Sequence, residues 1–326
     1  MTDTVTPEAT HDTPHVVIVR NPAARHPTPI DELELAASRL RVRGWIVTIV
    51  TTHAPGEATT VAADAARLGV SAVFACGGDG TVHEVADGLA GTDTALGVIR
   101  AGTANIWARE AGVPLDAERA LELALRGRRV HVDLGIAETS EWRVPFLLMC
   151  GLGIDAATVR RVGSGSRAKR HLGIAWYAAL GAHELARTHT ARVSIRIDGL
   201  PIERALTMAV IGNTRLYGGV AHITGAARID DGLLDLVAFG GDTVRGRIGL
   251  TAQAVRGGLH RRTVAGIEYH RGRVIEIATD VSLPVQVDGE FVGETGTSSL
   301  RLSVAPRALS VLLAPRPNAL LGERDG

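Results

Sequence analysis

The clearest signal of fold in this sequence is the stretch Ala75-Cys76-Gly77-Gly78-Asp79-Gly80-Thr81-Val82-His83-Glu84. The apolar run at 70–75 leads into the glycines, and Val82, Val85, Ala86 and Leu89 follow them at helical spacing, so the glycines lie at a strand-to-helix turn. Such a turn directs free backbone N–H groups and the positive end of a helix dipole towards a ligand. Because glycine has no Cβ, a phosphate chain can approach this backbone closely.

Asp79 lies among these glycines and would repel a bare phosphate group. Its presence indicates either a Mg²⁺ ion between the carboxylate and the phosphate or a hydroxyl that the carboxylate orients. This interpretation predicts a site for a nucleotide, a metal and phosphoryl transfer. The alternative is a turn that only connects a strand to a helix, since glycine and aspartate are common turn residues for conformational reasons alone.

The bulk composition limits the class of protein. The chain has 326 residues, of which 45% are hydrophobic and 3% aromatic, and this favours two domains with cores of small aliphatic side chains. The 35 basic and 35 acidic residues balance, so no nucleic-acid partner is expected. Lys169 is the one lysine, and the sequence therefore lacks the Gly-Lys-Ser/Thr of a Walker A loop.

The N-terminal segment and the cysteines predict the compartment. Residues 1–14 are polar and lack the apolar segment of a signal peptide, which predicts a disordered tail. No apolar run approaches the roughly 20 residues that span a bilayer. Cys76 and Cys150 each end an apolar run and are expected to pack in the core rather than to pair. These features predict a cytoplasmic protein.

Strand and helix patterns alternate from residue 15. Strands are predicted at 15–20, 45–51, 70–75 and 95–100, with helices after Thr28-Pro29 as far as Gly44, at 57–68 and after the glycine-rich turn. This alternation is typical of βαβ crossovers and predicts an α/β domain with a parallel sheet over 15–135. A second turn, Gly102-Thr103-Ala104-Asn105, would emerge at the same carboxyl edge, where ligands bind in open α/β folds.

From about residue 130 the pattern changes to short strands. They are predicted at 131–136, 144–150, 192–198, 205–212, 233–239, 274–278 and 285–287. Residues 192–198 alternate between apolar and polar side chains, as in an antiparallel sheet with one solvated face. Helices are expected only at about 167–187 and 244–257. We therefore predict a mainly antiparallel β domain over 136–305, followed in 306–326 by a strand and a tail whose return to the first domain the pattern leaves undecided.

Two acidic clusters in this second region could carry chemistry. In Arg228-Ile229-Asp230-Asp231-Gly232-Leu233-Leu234-Asp235, the paired aspartates either form a turn or contribute to a Mg²⁺ site with backbone carbonyls. In Asp288-Gly289-Glu290, an Asp-Gly hairpin turn accounts for the first two residues. Glu290 is either a solvated loop residue or a carboxylate that accepts a proton from an attacking hydroxyl.

Two further stretches have more than one interpretation. Cys150-Gly151-Leu152-Gly153-Ile154-Asp155-Ala156 fits the G-x-G-x-x-A form of a dinucleotide fingerprint, but no acidic residue ends a second strand about 20 residues on. A Rossmann NAD site is therefore disfavoured. The densest basic stretch contains Arg160, Arg161, Arg167, Lys169 and Arg170, and it forms either a solvated face or a surface for an anionic membrane leaflet.

Together these motifs resemble the diacylglycerol kinase catalytic-domain family of bacterial lipid kinases, whose relatives include the sphingosine and ceramide kinases. The resemblance covers residues 15 to about 314. The motifs that carry it, in the family's order, are Asn21-Pro22, Thr52 with Pro55-Gly56-Glu57-Ala58, residues 77–84, Gly102-Thr103-Ala104-Asn105, residues 151–155, Asn213 with Tyr217-Gly218-Gly219, residues 231–235 and Asp288-Gly289-Glu290. The chain departs from the family pattern at Ala23-Ala24-Arg25-His26, at Arg100-Ala101 and at Asn105-Ile106-Trp107.

The resemblance implies an ATP site in a cleft between an α/β nucleotide-binding domain and a β-sandwich domain that binds lipid and metal. The implied cofactor-binding residues are Asn21, Pro22, Thr52, Gly77, Gly78, Asp79, Gly80, Thr81, Val82, His83, Gly102, Thr103 and Asn105. It also implies that Asp231 and the carbonyls of Arg228 and Leu233 hold Mg²⁺. Glu290 is the implied proton acceptor, with Asp79 and Asp288 as further catalytic residues.

The predicted function is therefore an ATP- and Mg²⁺-dependent lipid kinase, with diacylglycerol as the favoured acceptor and phosphatidic acid as the product. Phosphoryl transfer requires mainly positioning and charge neutralisation, so a backbone cradle, a metal and one base would suffice. A kinase of the same fold with a soluble acceptor, such as a dinucleotide or a small alcohol, and a non-catalytic nucleotide-binding regulator remain as alternatives. We expect peripheral membrane association and a lipid partner at a membrane surface, with a homodimer left open.

Overall fold

The structure is a computed structural model. It describes residues 13–162, 191–218, 221–240, 259, 265–296, 299–314 and 320–321. Residues 1–12 of the predicted tail and the predicted helices at about 167–187 and 244–257 lie outside the described residues, as do Arg167, Lys169 and Arg170. In the described part of the chain, no helix combines the length and the apolar character needed to cross a membrane.

The first part of the chain builds a parallel sheet. Its elements are β1 (His15–Arg20), α1 (Ile30–Val42), β2 (Ile46–Thr51), α2 (Glu57–Arg67), β3 (Ala72–Gly77), α3 (Asp79–Leu89) and β4 (Ala95–Arg100). The strands lie in the order β2-β1-β3-β4, and each neighbouring pair is parallel. The four strands predicted from the apolar runs are confirmed, each within two residues of its observed ends.

Small side chains allow this layer to pack closely. β3 is buried along its whole length, as expected of a central strand covered by helices on both faces. In α3, a Cβ on Gly88 would lie 2.3 Å from the carbonyl oxygen of Thr59, so α2 and α3 touch backbone to backbone at this point. The two free cysteines, Cys76 and Cys150, are both buried.

The last strand joins the two regions of the chain. After α4 (Ile106–Glu110), α5 (Ala117–Leu121) and α6 (Leu123–Arg126), the long strand β5 (Arg128–Glu138) leaves the parallel sheet. β5 pairs antiparallel with β16 (Leu300–Leu313), and Val311 of β16 pairs parallel with Leu96 of β4. The C-terminal strand is therefore continuous with the parallel strands and with the antiparallel ones.

The remaining strands form two facing layers. They are β6 (Arg143–Phe146), β7 (Met149–Gly153), β8 (Ala191–Ile197), β9 (Leu200–Leu206), β10 (Met208–Gly212), β11 (Leu234–Phe239), β12 (Ile267–Gly272), β13 (Val274–Thr279), β14 (Pro284–Val287) and β15 (Glu290–Glu294). One layer continues the first sheet as β16-β13-β8-β9, and the other has the order β12-β11-β10-β7-β14-β15. Ile195, Ile211 and Leu302 lie in the apolar core between them. The predicted class, a parallel α/β region followed by a mainly antiparallel β-sandwich, is confirmed.

Several local predictions were wrong. The strand predicted at 205–212 covers the end of β9 and all of β10, and the strand expected in 306–326 begins earlier, at Leu300 of β16. The strand predicted at 144–150 is divided into β6 and β7, because the N–H groups of Leu147 and Leu148 donate to the carboxylate of Asp288. The helix α7 (Ile154–Val162) follows β7, although helices were expected only at more distant positions. Gly153, with φ of +74°, turns the chain from the strand into this helix.

Candidate functional site

Two glycine-rich turns meet at the carboxyl edge of the parallel sheet. The first follows β3 and the second follows β4. A Cβ on Gly102 would lie 2.5 Å from the Cα of Gly78, and a Cβ on Gly77 would lie 2.3 Å from Oγ1 of Thr81. Neither position can therefore accept a side chain without a shift of its neighbours. The structure thus brings the predicted turns 77–83 and 102–105 into direct backbone contact.

Asn21 fixes the first turn from the neighbouring strand. Its Nδ2 donates to Oγ1 of Thr81 at 2.9 Å, and its Oδ1 accepts the N–H of Ala23 at 2.9 Å. Pro22 lies exposed in the turn that follows β1. Thr52 is buried at the end of β2 and donates its backbone N–H to the carbonyl of Arg20 at 2.9 Å. These residues therefore lie at the same edge of the sheet as the glycines.

Asn105 closes the second turn on itself. Its Oδ1 accepts the N–H of Gly102 at 3.0 Å, and its Nδ2 donates to the carbonyl of Gly102 at 2.8 Å. Asn105 has a φ of +46°, a left-handed conformation that asparagine tolerates better than most residues. Thr103 lies exposed within this turn. The Asn105 amide thus holds the shape of the turn, and the Thr103 hydroxyl is the accessible group.

Two predicted residues in α3 face the protein rather than a ligand site. Val82 is buried in the core, and its N–H donates to the carbonyl of Gly78 at 3.1 Å. Asp79 accepts the N–H of Trp107 on Oδ1 at 3.3 Å. Desolvation raises the pKa of Asp79 above its ordinary value, against the opposing effect of backbone hydrogen bonds from Trp107 and Ile106. The Asp79 carboxylate therefore fastens the second turn to the first.

Glu290 reaches this edge from the other layer of the molecule. A Cβ on Gly80 would lie 2.9 Å from Oε1 of Glu290, so the carboxylate rests on the first turn of α3. Glu290 follows a two-residue hairpin turn in which Asp288 and Gly289 have φ of +49° and +88°. Glu290 is exposed to solvent. An accessible carboxylate thus lies against the backbone of the glycine-rich turn.

Asp288 anchors the hairpin turn that carries Glu290. Its Oδ2 accepts the N–H of Leu147 at 2.9 Å, and its Oδ1 accepts the N–H groups of Leu148 and Met149 at 2.9 Å each. Nδ1–H of His83 donates to Oδ2 at 2.9 Å. Asp288 is buried, and four hydrogen bonds engage its carboxylate. We therefore assign to Asp288 the placement of the turn rather than contact with a substrate.

His83 connects α3 to the hairpin turn. Burial alone would lower the pKa of His83, but the hydrogen bond and the charge of Asp288, with the charges of Glu290 and Asp87, outweigh it and raise the pKa. The His83 imidazole therefore bridges the parallel region and the antiparallel region, and the Asp288 carboxylate favours its protonated form. The family resemblance implied that His83 binds the cofactor, and in the structure its ring is hydrogen-bonded to Asp288.

The predicted metal residues lie in the turn before β11. Oδ1 of Asp231 accepts the N–H of Leu233 at 3.1 Å, and Oδ2 forms an ion pair with Arg271 of β12. Nε of Arg271 also contacts Oδ1 of Asp235 at 3.1 Å. The Arg228 side chain donates to the carbonyl of Leu321 at 3.4 Å. Within the described ranges, no group of three or more His, Cys, Asp or Glu side chains is arranged to hold a metal ion.

This turn does not fit a Mg²⁺ ion as its residues stand. Mg²⁺ takes oxygen ligands in a nearly octahedral arrangement, whereas a guanidinium group already contacts the carboxylates of Asp231 and Asp235. Burial raises the pKa of Asp235 to about 6, while the hydrogen bond from Tyr269 and the charge of Arg271 oppose this rise. Arg271 supplies to these carboxylates the positive charge that a bound cation would bring. A Mg²⁺ site formed by Arg228, Asp231 and Leu233 is therefore not supported.

A buried polar cluster for which the sequence indicated no role lies behind the Glu290 turn. It contains Asp155, Tyr217 and Gln286. A Cβ on Gly151 would lie 1.6 Å from Oδ2 of Asp155, so this glycine makes room for the cluster rather than for a dinucleotide. The partners of Gln286 lie far apart in the sequence, and only the three-dimensional structure brings them together.

Comparison with known proteins gives the family. The sequence-family model for the diacylglycerol kinase catalytic domain matches residues 15–137. The sequence-family model for the YegS C-terminal NAD kinase beta sandwich-like domain matches residues 149–313. A crystal structure of a diacylglycerol kinase from Bacillus anthracis has the same fold, with a TM-score of 0.70 and 22% identity over 94% of this chain and 99% of that chain.

Curated relatives match at higher identity. A protein of Pseudomonas putida named "Probable lipid kinase YegS-like" is 30% identical over 287 residues, which is 87% of this chain and 90% of the relative. A protein of Mycobacterium tuberculosis named "Diacylglycerol kinase" is 30% identical over 309 residues, or 93% of this chain and 96% of the relative. The chain therefore belongs to the diacylglycerol kinase catalytic-domain family, whose members are phosphotransferases with an alcohol group as acceptor.

Proposed function

We propose that this protein is an ATP- and Mg²⁺-dependent lipid kinase that transfers the γ-phosphate of ATP to a lipid hydroxyl, with diacylglycerol as the favoured acceptor. The observation that supports this most is the approach of the Glu290 carboxylate to Gly80. It brings a candidate base to the glycine-rich turn at which a phosphate chain would bind. The names of the curated relatives support the same reaction class.

The phosphates of ATP would lie against the two glycine-rich turns. Close packing of Gly78 on Gly102 leaves a surface of backbone without side chains. The first turn of α3, an 11-residue helix, directs its N–H groups and its positive dipole end to this edge. Mg²⁺ would arrive with ATP and neutralise charge on the phosphates. No lysine is needed for this arrangement, which fits the absence of a Walker A sequence.

Glu290 would accept the proton of the lipid hydroxyl. As the hydroxyl oxygen bonds to the γ-phosphorus, its proton passes to the Glu290 carboxylate and ADP leaves with the electrons of the broken P–O bond. Asp288 places the turn through three backbone N–H groups, and His83 ties that turn to α3. Both residues therefore act on the position of Glu290 and not on the phosphate.

An exposed aromatic side chain beside Glu290 favours a lipid acceptor at a membrane surface. Phe291 is 40% exposed, and the guanidinium carbon of Arg160 lies 5.6 Å from its ring centroid. Arg160 also forms an ion pair with Glu294 at 2.7 Å, so the exposed aromatic ring is the group that suits the boundary of the acyl chains. We propose peripheral membrane association through this face, next to the attacking hydroxyl.

A soluble acceptor is the second candidate, because the matched C-terminal model is described as NAD kinase beta sandwich-like. The test uses radiolabelled ATP with Mg²⁺ and, in parallel, a total lipid extract in mixed micelles and NAD in buffer. We expect a labelled lipid that mass spectrometry identifies as phosphatidic acid. A labelled dinucleotide without a labelled lipid would favour the soluble acceptor, and ATP binding without any product would indicate a regulator.

A further inference from the structure

We infer that Gln286 is a positioning residue that, with Asp155 and Tyr217, fixes the orientation of the turn carrying Glu290. This inference rests on the proposed function, in which Glu290 accepts the proton. Gln286 lies in β14, three residues before Gly289, and is only 2% exposed. Its side chain therefore acts through the turn, and the substrate does not contact it.

Both ends of the Gln286 amide are engaged. Nε2 donates to Oδ2 of Asp155 at 2.8 Å, and Oε1 accepts the N–H of Gly289 at 2.7 Å. The hydroxyl of Tyr217 donates to Oδ1 of Asp155. A chain of hydrogen bonds thus runs from Tyr217 through Asp155 and Gln286 to the backbone of the residue that precedes Glu290.

This chain of hydrogen bonds packs closely against the neighbouring strand. Gln286 lies opposite Gly151 in the β14–β7 ladder. A Cβ on Gly151 would lie 1.6 Å from Oδ2 of Asp155 and 2.6 Å from Nε2 of Gln286. A buried carboxylate without partners is costly, and here two donors compensate it. The cluster is therefore closely packed against Gly151, and its carboxylate has two hydrogen-bond donors.

The hairpin turn is held from two sides. On one side the Asp288 carboxylate accepts the N–H groups of residues 147–149, and on the other the Gln286 amide accepts the N–H of Gly289. Loss of one contact would let the turn tilt about the other. Because a misplacement of about 1 Å at a reacting group can cost about 10²-fold in rate, a small tilt is enough to impair Glu290.

The test exchanges the hydrogen-bond donor and acceptor between positions 155 and 286. In Gln286→Glu the side chain keeps an acceptor for Gly289 but faces Asp155 with a second carboxylate. In the double variant Asp155→Asn with Gln286→Glu, the new amide at position 155 donates to the new carboxylate at position 286, and the amide carbonyl accepts from Tyr217. We expect kcat of the single variant with diacylglycerol to fall by about 10- to 100-fold with KM for ATP nearly unchanged, and the double variant to recover most of this loss.

Three further measurements separate the possible outcomes. Thr94→Val removes a buried hydrogen bond to the carbonyl of Val70 at the opposite edge of the sheet and should leave kcat unchanged, which controls for general destabilisation. Tyr217→Phe removes one donor to Asp155 and should lower kcat less than Gln286→Glu. Wild-type kcat in the single variant, or a double variant no better than the single one, would overturn the inference.

Hydrogen exchange of residues 284–294 tests the inference without turnover. We expect faster exchange in the single variant and recovery in the double one, whereas wild-type exchange in the single variant would overturn it. A wild type without any lipid product would refute the proposed function instead.

Discussion

Gly80→Ala tests whether Glu290 works at the place where the structure puts it. The added Cβ would lie 2.9 Å from Oε1 of Glu290 and 3.9 Å from its Cδ, whereas ordinary contact begins at 3.4 Å. Oε1 must therefore retreat by about 0.5 Å. If a displacement of about 1 Å costs about 10²-fold in rate, half of it corresponds to roughly 10-fold.

The same substitution should not harm the fold. Gly80 is helical, and the atom that meets the new Cβ is the end of a flexible, exposed side chain. Alanine in a helix is favoured over glycine by about 0.5–1 kcal/mol. We therefore expect kcat to fall about 10-fold while the free energy of unfolding in urea stays constant or rises.

Gly88→Ala on the same helix is the matched control. Its Cβ would lie 2.3 Å from the backbone carbonyl oxygen of Thr59, which cannot move away cheaply. This variant should lose stability, in contrast to Gly80→Ala. An unchanged kcat in Gly80→Ala would refute the reasoning, because Glu290 would then not rest on this turn during catalysis.

Two further predictions concern the charged contacts. The pKa of His83 is higher in the folded state than in the unfolded state. The stability that protonated His83 contributes is therefore fully present below its unfolded pKa of about 6.5 and is lost as pH rises through the higher folded value. In urea unfolding, His83→Gln should lower the free energy of unfolding more at low pH than at high pH, and an equal loss at both would contradict this. Arg271→Gln leaves Asp231 and Asp235 without their cation and should cost about 1–3 kcal/mol, discounted for its partial exposure. In thermal unfolding, added Mg²⁺ should restore part of the stability that Arg271→Gln loses, whereas EDTA should not affect the wild type. Arg301→Gln is the matched control: it breaks two ion pairs on the other layer, and its stability should not respond to Mg²⁺.

The parallel region could be predicted from the sequence because its signals are local. β4 has the predicted ends, Ala95 and Arg100, since an apolar run between turn residues specifies such a strand on its own. The glycine turns after β3 and β4 were also predictable, because the carboxyl ends of neighbouring parallel strands lie at one edge.

The contacts that shape the site could not be predicted, because their partners are distant in the sequence. His83 and Asp288 are 205 residues apart, and Asp288 and Leu147 are 141 apart. The contact between Asp288 and Leu147 divides the strand predicted at 144–150, and no pattern in the local sequence indicates that division. Arg271 pairs with Asp231 across 40 residues, so the acidic turn alone suggested a metal. β12 was missed because its sequence, IEYHRG, is too polar to stand out as a strand.

Single-turnover phosphorylation of diacylglycerol by Glu290→Gln, with ATP binding measured on the same preparation, tests the central claim most directly. Glutamine keeps the size of the side chain beside Gly80 but cannot accept the proton, whereas Glu141→Gln at an exposed position away from the turn provides the matched control. We predict that Glu290→Gln loses at least about 10²-fold in the transfer rate with the Kd for ATP nearly unchanged, while Glu141→Gln behaves as the wild type. Transfer by Glu290→Gln at the wild-type rate would contradict the account.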